Sequence, residues 1–259
     1  MSSTAVRRTA LAASAAALAL LATACGGSSD DDGATSDDKA TADQSAPAGG
    51  ALTAAELEKV ALAQADVENG EVTTKVPAKD DVAKDQVSTD DEACLPLALA
   101  QSAVAQGEPT ATVKRSWQGQ TETPPESTGP DGQDMTTINV DKIMLNLASY
   151  PEGGAEQALK GLSTAAEKCA DGFTVTSGSD KLKIAEVTTA TAPEGGDEAL
   201  AVSLGVDIGQ DTDGLMKLVV VRKGATLASF SAVNLSSMMT GAEFDVPTDV
   251  VDAQVTKLG

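Results

Sequence analysis

Leu200, Val202, Leu204, Val206 and Ile208 alternate with small or polar residues without a break. A period of two places all five on one side of a strand and predicts that this side is buried. Two further apolar runs follow, 215–222 and 226–235, on either side of Lys223-Gly224, a pair suited to a hairpin turn. The region therefore predicts an antiparallel meander, and an all-helical fold is excluded. Upstream, 110–117 alternates in the same way, and 71–76, 172–176 and 181–191 are shorter strand candidates. Residues 135–148 read as a long strand whose apolar phase slips between Val140 and Ile143. Such a slip predicts a bulge or a bend.

Helical signals are interleaved with these strands. Thr53 and Glu56 form a capping box, so a helix is predicted to begin there. Leu57, Val60, Ala61 and Gln64 continue one face as far as Asn69-Gly70. Residues 79–92 are charged and predicted to be irregular. Residues 95–105 read as a second helix with Pro96 in its first turn, where proline is tolerated. The clearest helix spans 151–169, with Ala155, Ala158, Leu159, Leu162, Ala166 and Cys169 at helical spacing. A closing helix over 248–258 turns Val251, Val255 and Leu258 inward. Between the strands, 119–134 carries Pro124-Pro125, Gly129-Pro130 and Asp131-Gly132, which predicts a long exposed loop. The fold class is α+β: an antiparallel β-sheet with helices packed against it, in a single domain. Trp117, Tyr150, Phe173, Phe230 and Phe244 are the only aromatic residues, so aliphatic side chains must build the core.

The N-terminus carries a different message. Arg7-Arg8 precedes an uncharged Ala/Leu-rich run, Thr9–Ala24, with small residues at its end. This is the pattern of an export signal over residues 1–24, and the run is too short and alanine-rich for a membrane span. Ala22-Thr23-Ala24 would also serve an ordinary signal peptidase. Leu20-Leu21-Ala22-Thr23-Ala24-Cys25 resembles the lipobox of bacterial lipoproteins. That resemblance implies that Cys25 is the lipid-attachment site and becomes the new N-terminus, with acyl chains inserted in the membrane. The lipobox usually has leucine three residues before the cysteine; here Ala22 stands there and Leu21 one place earlier. Two acyl chains anchor stably where one does not.

The chain has three cysteines: Cys25, Cys94 and Cys169. In an oxidising compartment Cys94 and Cys169 suit one disulfide, and acylation of Cys25 accounts for the odd thiol. The alternative is a pair of unbonded core thiols. Ser28–Gly50 is rich in Ser, Asp, Ala, Thr and Gly and has no large apolar residue, so residues 25–50 are expected to hold the lipidated cysteine and a flexible acidic linker. Residues 51–259 then form the extracytoplasmic domain.

Removing the leader takes away Arg7 and Arg8 and no acid, which changes 18 basic against 39 acidic residues to 16 against 39, or −23. Such a balance excludes nucleic acid as a partner and suits a soluble domain held off anionic head groups. There is no histidine, which removes Ser-His-Asp and Cys-His catalysis, imidazole metal sites and the usual base near neutral pH. Ser36-Asp-Asp-Lys39 fits an S-x-x-K pattern but lies in the linker, where no pocket forms. Asp207, Asp211, Asp213 and Gly214 hint at a calcium loop, yet the spacing puts Gly209 and Val220 at ligand positions, so a solvated turn is the better reading. No metal, cofactor or catalytic activity is expected. Paired carboxylates for glycoside hydrolysis are compatible by residue type, but one tryptophan is a poor supply of sugar platforms. Trp117, ending a strand beside the 119–134 loop, is the candidate ligand contact; the alternative is a packing role.

Several segments together resemble the PknH-type extracellular sensor domain family and related actinobacterial lipoproteins. They are Asp91-Glu-Ala-Cys94 opening a helix, Tyr150-Pro151 leading into a helix that ends in Cys169, the hairpin Val219-Val-Val-Arg-Lys-Gly224, and the tail Val251–Leu258. The resemblance covers most of 51–259. It implies an antiparallel sheet with helices against it and a small-molecule or envelope ligand outside the cytoplasm. The chain departs from the kinases of that family: it has no kinase domain, no span after the signal and cysteines for one disulfide rather than two. The expected function is a membrane-anchored, non-catalytic ligand-binding or sensor-like module. The alternative is a carrier or chaperone for lipid or envelope components, which would need a large apolar cavity.

Overall fold

The computed structural model describes residues 50–120, 139–209 and 213–259. The export signal, Cys25, most of the linker, the 121–138 stretch and Asp211 lie outside the described residues. The described part belongs to one compact unit, Ser45–Gly259. Its strands are β1 (Glu71–Thr73), β2 (Val87–Thr89), β3 (Ala111–Gln120), β4 (Val140–Ser149), β5 (Phe173–Ser177), β6 (Asp180–Ala190), β7 (Glu198–Val206), β8 (Gly214–Lys223) and β9 (Thr226–Asn234). Its helices are α1 (Ala54–Val60), α2 (Leu95–Gln101), α3 (Gly154–Lys168), α4 (Leu235–Thr240) and α5 (Thr248–Lys257). The strands form one nine-stranded sheet in the order β1-β3-β4-β9-β8-β7-β6-β5-β2, and every pairing is antiparallel. This is the predicted α+β class.

Helices cover both faces, so the central strands bury both sets of alternating side chains. Met216, Leu218 and Val220 of β8 join Val202 and Leu204 of β7 under α2 and α3. Val219 and Val221 point the other way, joining Leu145, Phe230 and Ala228 under α1 and α5. Cross-strand register aligns this second face into rows. One runs Trp117, Ile143, Ala232, Lys217, Ser203; the next runs Arg115, Leu145, Phe230, Val219, Ala201.

The three-residue strands β1 and β2 occupy opposite edges of the sheet, so the chain between them crosses a whole face. That crossing is tied down by Lys142 Nζ to Asp80 at 3.0 Å and by Lys114 Nζ to Asp81 at 2.8 Å. Cys94 and Cys169 are bonded, with Cα atoms 5.9 Å apart, and the bridge joins the start of α2 to the end of α3. Both cysteines are buried on the α2–α3 face.

Several expectations need correction. The first helix stops at Val60 rather than running past Gln64. Gln254 of α5 supplies the reason: its Oε1 accepts from Leu62 N–H at 2.8 Å and its Nε2 donates to the Val60 carbonyl at 2.9 Å. A tertiary contact thus takes over the helix end, and Leu62 turns into the core. The second helix is also shorter than predicted, because Ala103 adopts φ +52° just beyond it. No bulge interrupts β4, whose register with β3 and β9 is continuous. The apparent slip arises because Asp141 takes a buried position on the same face as Ile143 and accepts from Asn234 Nδ2 at 2.7 Å. A register break does occur in β6, between Ile184 and Glu186. Two short elements, β2 and α4, were not anticipated.

Candidate functional site

A cleft with a volume of about 1280 Å³ opens on the α1–α5 face. Its floor is built from Trp117–Gly119 of β3 and from Ala201, Val202, Lys217, Leu218 and Val219 of β7 and β8. One wall is Asn69-Gly70-Glu71 leading into β1, another is 190–193 after β6, and the roof is 245–249 leading into α5.

Trp117 is predicted to be either a ligand contact or a packing residue, and its surroundings have features of both. The side chain is 4% exposed. Its Nε1 donates to the Asn69 carbonyl at 2.9 Å, which leaves only the ring for further contact. Gly70 and Gly119 make its seat possible: a Cβ at either position would collide with the indole, and Gly70 also has φ +77°. Two glycines thus let one aromatic ring lie flat against both β1 and its own strand. The same ring forms part of the cleft lining.

Lys217 is the cation of the lining. Its Nζ lies 3.0 Å from Glu243 Oε2 and 5.2 Å from the centre of the Phe244 ring. These contacts hold the segment before α5 across the floor. The acids of the lining are Glu71, Asp245 and Asp249, the last in the first turn of α5. Asn69, Gln118, Thr191 and Thr248 add uncharged polar groups, and apolar wall is supplied by Pro193, Val219, Val246 and Val251 with small alanines beside them. Such a surface can bind and orient a ligand. Its lining has carboxylates, an ammonium and hydroxyls, with no histidine or thiol among them.

The remaining candidates lie elsewhere. The Cys94–Cys169 bridge is on the opposite face of the sheet and contributes nothing to the cleft. Cys25 lies outside the described residues. Asp207 is committed to Lys183 Nζ at 2.7 Å and to Gly209 N–H at 2.9 Å; those partners hold its carboxyl below the usual range, the lysine hydrogen bond most of all. Among the described residues no group of His, Cys, Asp or Glu could hold a metal ion, and no helix is long and apolar enough to cross a membrane. Lys217, Glu71 and Asp245 were not singled out in the sequence. Each reads locally as a solvated charge, and nothing short of the sheet order brings them to one cavity.

No family model matches the chain, and no curated protein matches it. Among solved structures it is similar to the extracellular domain of PknH from Mycobacterium tuberculosis, with a TM-score of 0.51 and 11% sequence identity over 80% of this chain and 97% of that one. At that identity the similarity extends to the fold alone: this chain shares the architecture of that extracellular domain.

Proposed function

We propose that the protein is a non-catalytic binding module of the extracytoplasmic face, anchored through lipid on Cys25 and receiving a small-molecule or envelope ligand in the Trp117–Lys217 cleft. The observation that carries this reading is the cleft itself: a cavity of about 1280 Å³ with apolar walls and a few convergent polar groups, which is the usual form of a ligand site. Placement outside the cytoplasm is supported by the Cys94–Cys169 bond, since disulfides persist in oxidising compartments. It is also supported by the fold shared with an extracellular domain. The export signal, the lipobox-like run ending in Cys25 and the acidic linker supply the anchor and tether. The lining favours recognition over turnover, because it holds no histidine, the usual base near neutral pH.

The test is a thermal-shift screen of the full chain against envelope metabolites, followed by amide hydrogen exchange on each hit. A ligand of the cleft raises the melting temperature and protects 69–71 and 243–251. Protection confined to the α2–α3 face would overturn the assignment of the site. An acyl lipid co-purifying in stoichiometric amount would favour a carrier over a sensor-like module.

A further inference from the structure

We infer that the Trp117–Lys217 cleft selects an organic cation: an amine-bearing ligand with an apolar body. The inference rests on the cleft being the binding site and adds the charge of what it binds.

The lining contains two sources of positive potential, and the chain neutralises each. The Lys217 ammonium is met by Glu243 at 3.0 Å and lies over the Phe244 ring. The N-terminal end of α5 carries a partial positive charge, and Asp249 sits in its first turn to meet it. An incoming anion would therefore have to displace a carboxylate to reach either. Two acids remain, Glu71 on the β1 side and Asp245 on the roof. Neither takes part in an ion pair with any lysine or arginine among the described residues. They stand on different walls of one cavity, so a ligand in the cleft can meet one or the other.

The walls decide how much those charges matter. Val219, Val246, Val251, Pro193 and the Trp117 ring form low-dielectric surfaces, and a cleft with apolar walls focuses the field of its charges. The domain's own excess of acid over base acts in the same direction. Phosphate, carboxylate and sulfate ligands are disfavoured at long range and again on entry. A protonated amine is drawn in and can pair with Glu71 or with Asp245 while its hydrocarbon part covers the walls.

Trp117 is the only tryptophan in the chain, so its emission reports on this cleft alone. The experiment titrates the full chain with octylamine, octanol and octanoate at pH 7, three probes alike in length and different in charge. The expected result is a saturable emission change with octylamine at about tenfold lower concentration than with octanoate, the factor that 1.4 kcal/mol carries. Octanol should fall between the two. In the Glu71→Gln/Asp245→Asn variant, whose substitutions are exposed, the amine should lose its advantage over octanol. Octanoate binding as tightly as octylamine, or a variant that keeps the preference, would overturn the cation assignment while leaving the cleft as a ligand site. Silence from all three probes would overturn the cleft as an apolar site, and the proposed function with it.

Discussion

Two glycines and one ring make the site's geometry a matter of single residues. Gly119 has no room for a Cβ beneath the Trp117 indole, so Gly119→Ala must push the ring out of its seat. Overpacking of this kind costs about 1–3 kcal/mol. A denaturant titration should show that loss together with a red shift of Trp117 emission; unchanged emission would mean that the ring does not lie where the structure puts it. Asn234 carries two duties at once. Its Nδ2 donates to buried Asp141 at 2.7 Å, and its Oδ1 accepts from Ser237 N–H at 2.9 Å to cap α4. Asn234→Ala removes a cap worth about 1 kcal/mol and strips a donor from a buried carboxylate, which adds about 1–3 kcal/mol. Chemical denaturation should therefore show a loss of about 2 kcal/mol or more, and a neutral result would contradict the account of the β4 phase slip.

At the scale of elements, two ties should be measurable. The Cys94–Cys169 bond closes a separation of 75 residues, which the chain-entropy model values at roughly 4.5 kcal/mol. Reduction should lower the melting temperature by several degrees. An unchanged value would mean that the bond constrains nothing. The second tie joins α5 to the turn after α1, where Lys257 Nζ lies 2.5 Å from Asp66 Oδ2. Partial burial acts to raise the Asp66 carboxyl, but the Lys257 hydrogen bond and the Ala63 N–H outweigh it and leave it below its ordinary value of 3.8. A carboxyl lowered in the folded state binds fewer protons there than in the unfolded chain. Its stabilisation is therefore complete above the unfolded value and fades as pH falls through the folded one. Asp66→Asn should remove part of the acid sensitivity below about pH 4, at a cost of about 1 kcal/mol at pH 7 for a part-buried pair.

These elements also show what a sequence can disclose. The Thr53–Glu56 box, the α3 stripe and the three-strand meander over β7, β8 and β9 are local patterns, and each formed where its pattern lay. The end of α1 was hidden because Gln254, far along the chain, decides it. The phase slip between Val140 and Ile143 predicts a bulge that β4 lacks, because the bond to Asn234 lets polar Asp141 sit inside. Strand β2 is three residues long and exists because β5 presents an edge to it, information absent from residues 87–89 themselves. The site was visible through Trp117 alone, read as ending a strand that in the structure runs on to Gln120. Glu71, Lys217 and Asp245 meet only after the sheet is ordered.

On the scale of the whole molecule, the two faces of the sheet differ. One face is locked by the disulfide and two helices; the other is left open beside β3, β8 and the start of α5. That division suits a rigid support for a binding surface. On the proposed anchoring, retention at the membrane depends on Cys25, so Cys25→Ala should shift the protein from the membrane fraction to the medium in its own host. Continued retention would count against acylation. The most direct measurement is the mass of the protein extracted from its own membrane, taken under native and then denaturing conditions. The account predicts a chain starting at Cys25 that carries a covalent diacylglyceryl group and one disulfide, together with any ligand as a mass lost on denaturation. A bare thiol at Cys25, or the leader still attached, would contradict it.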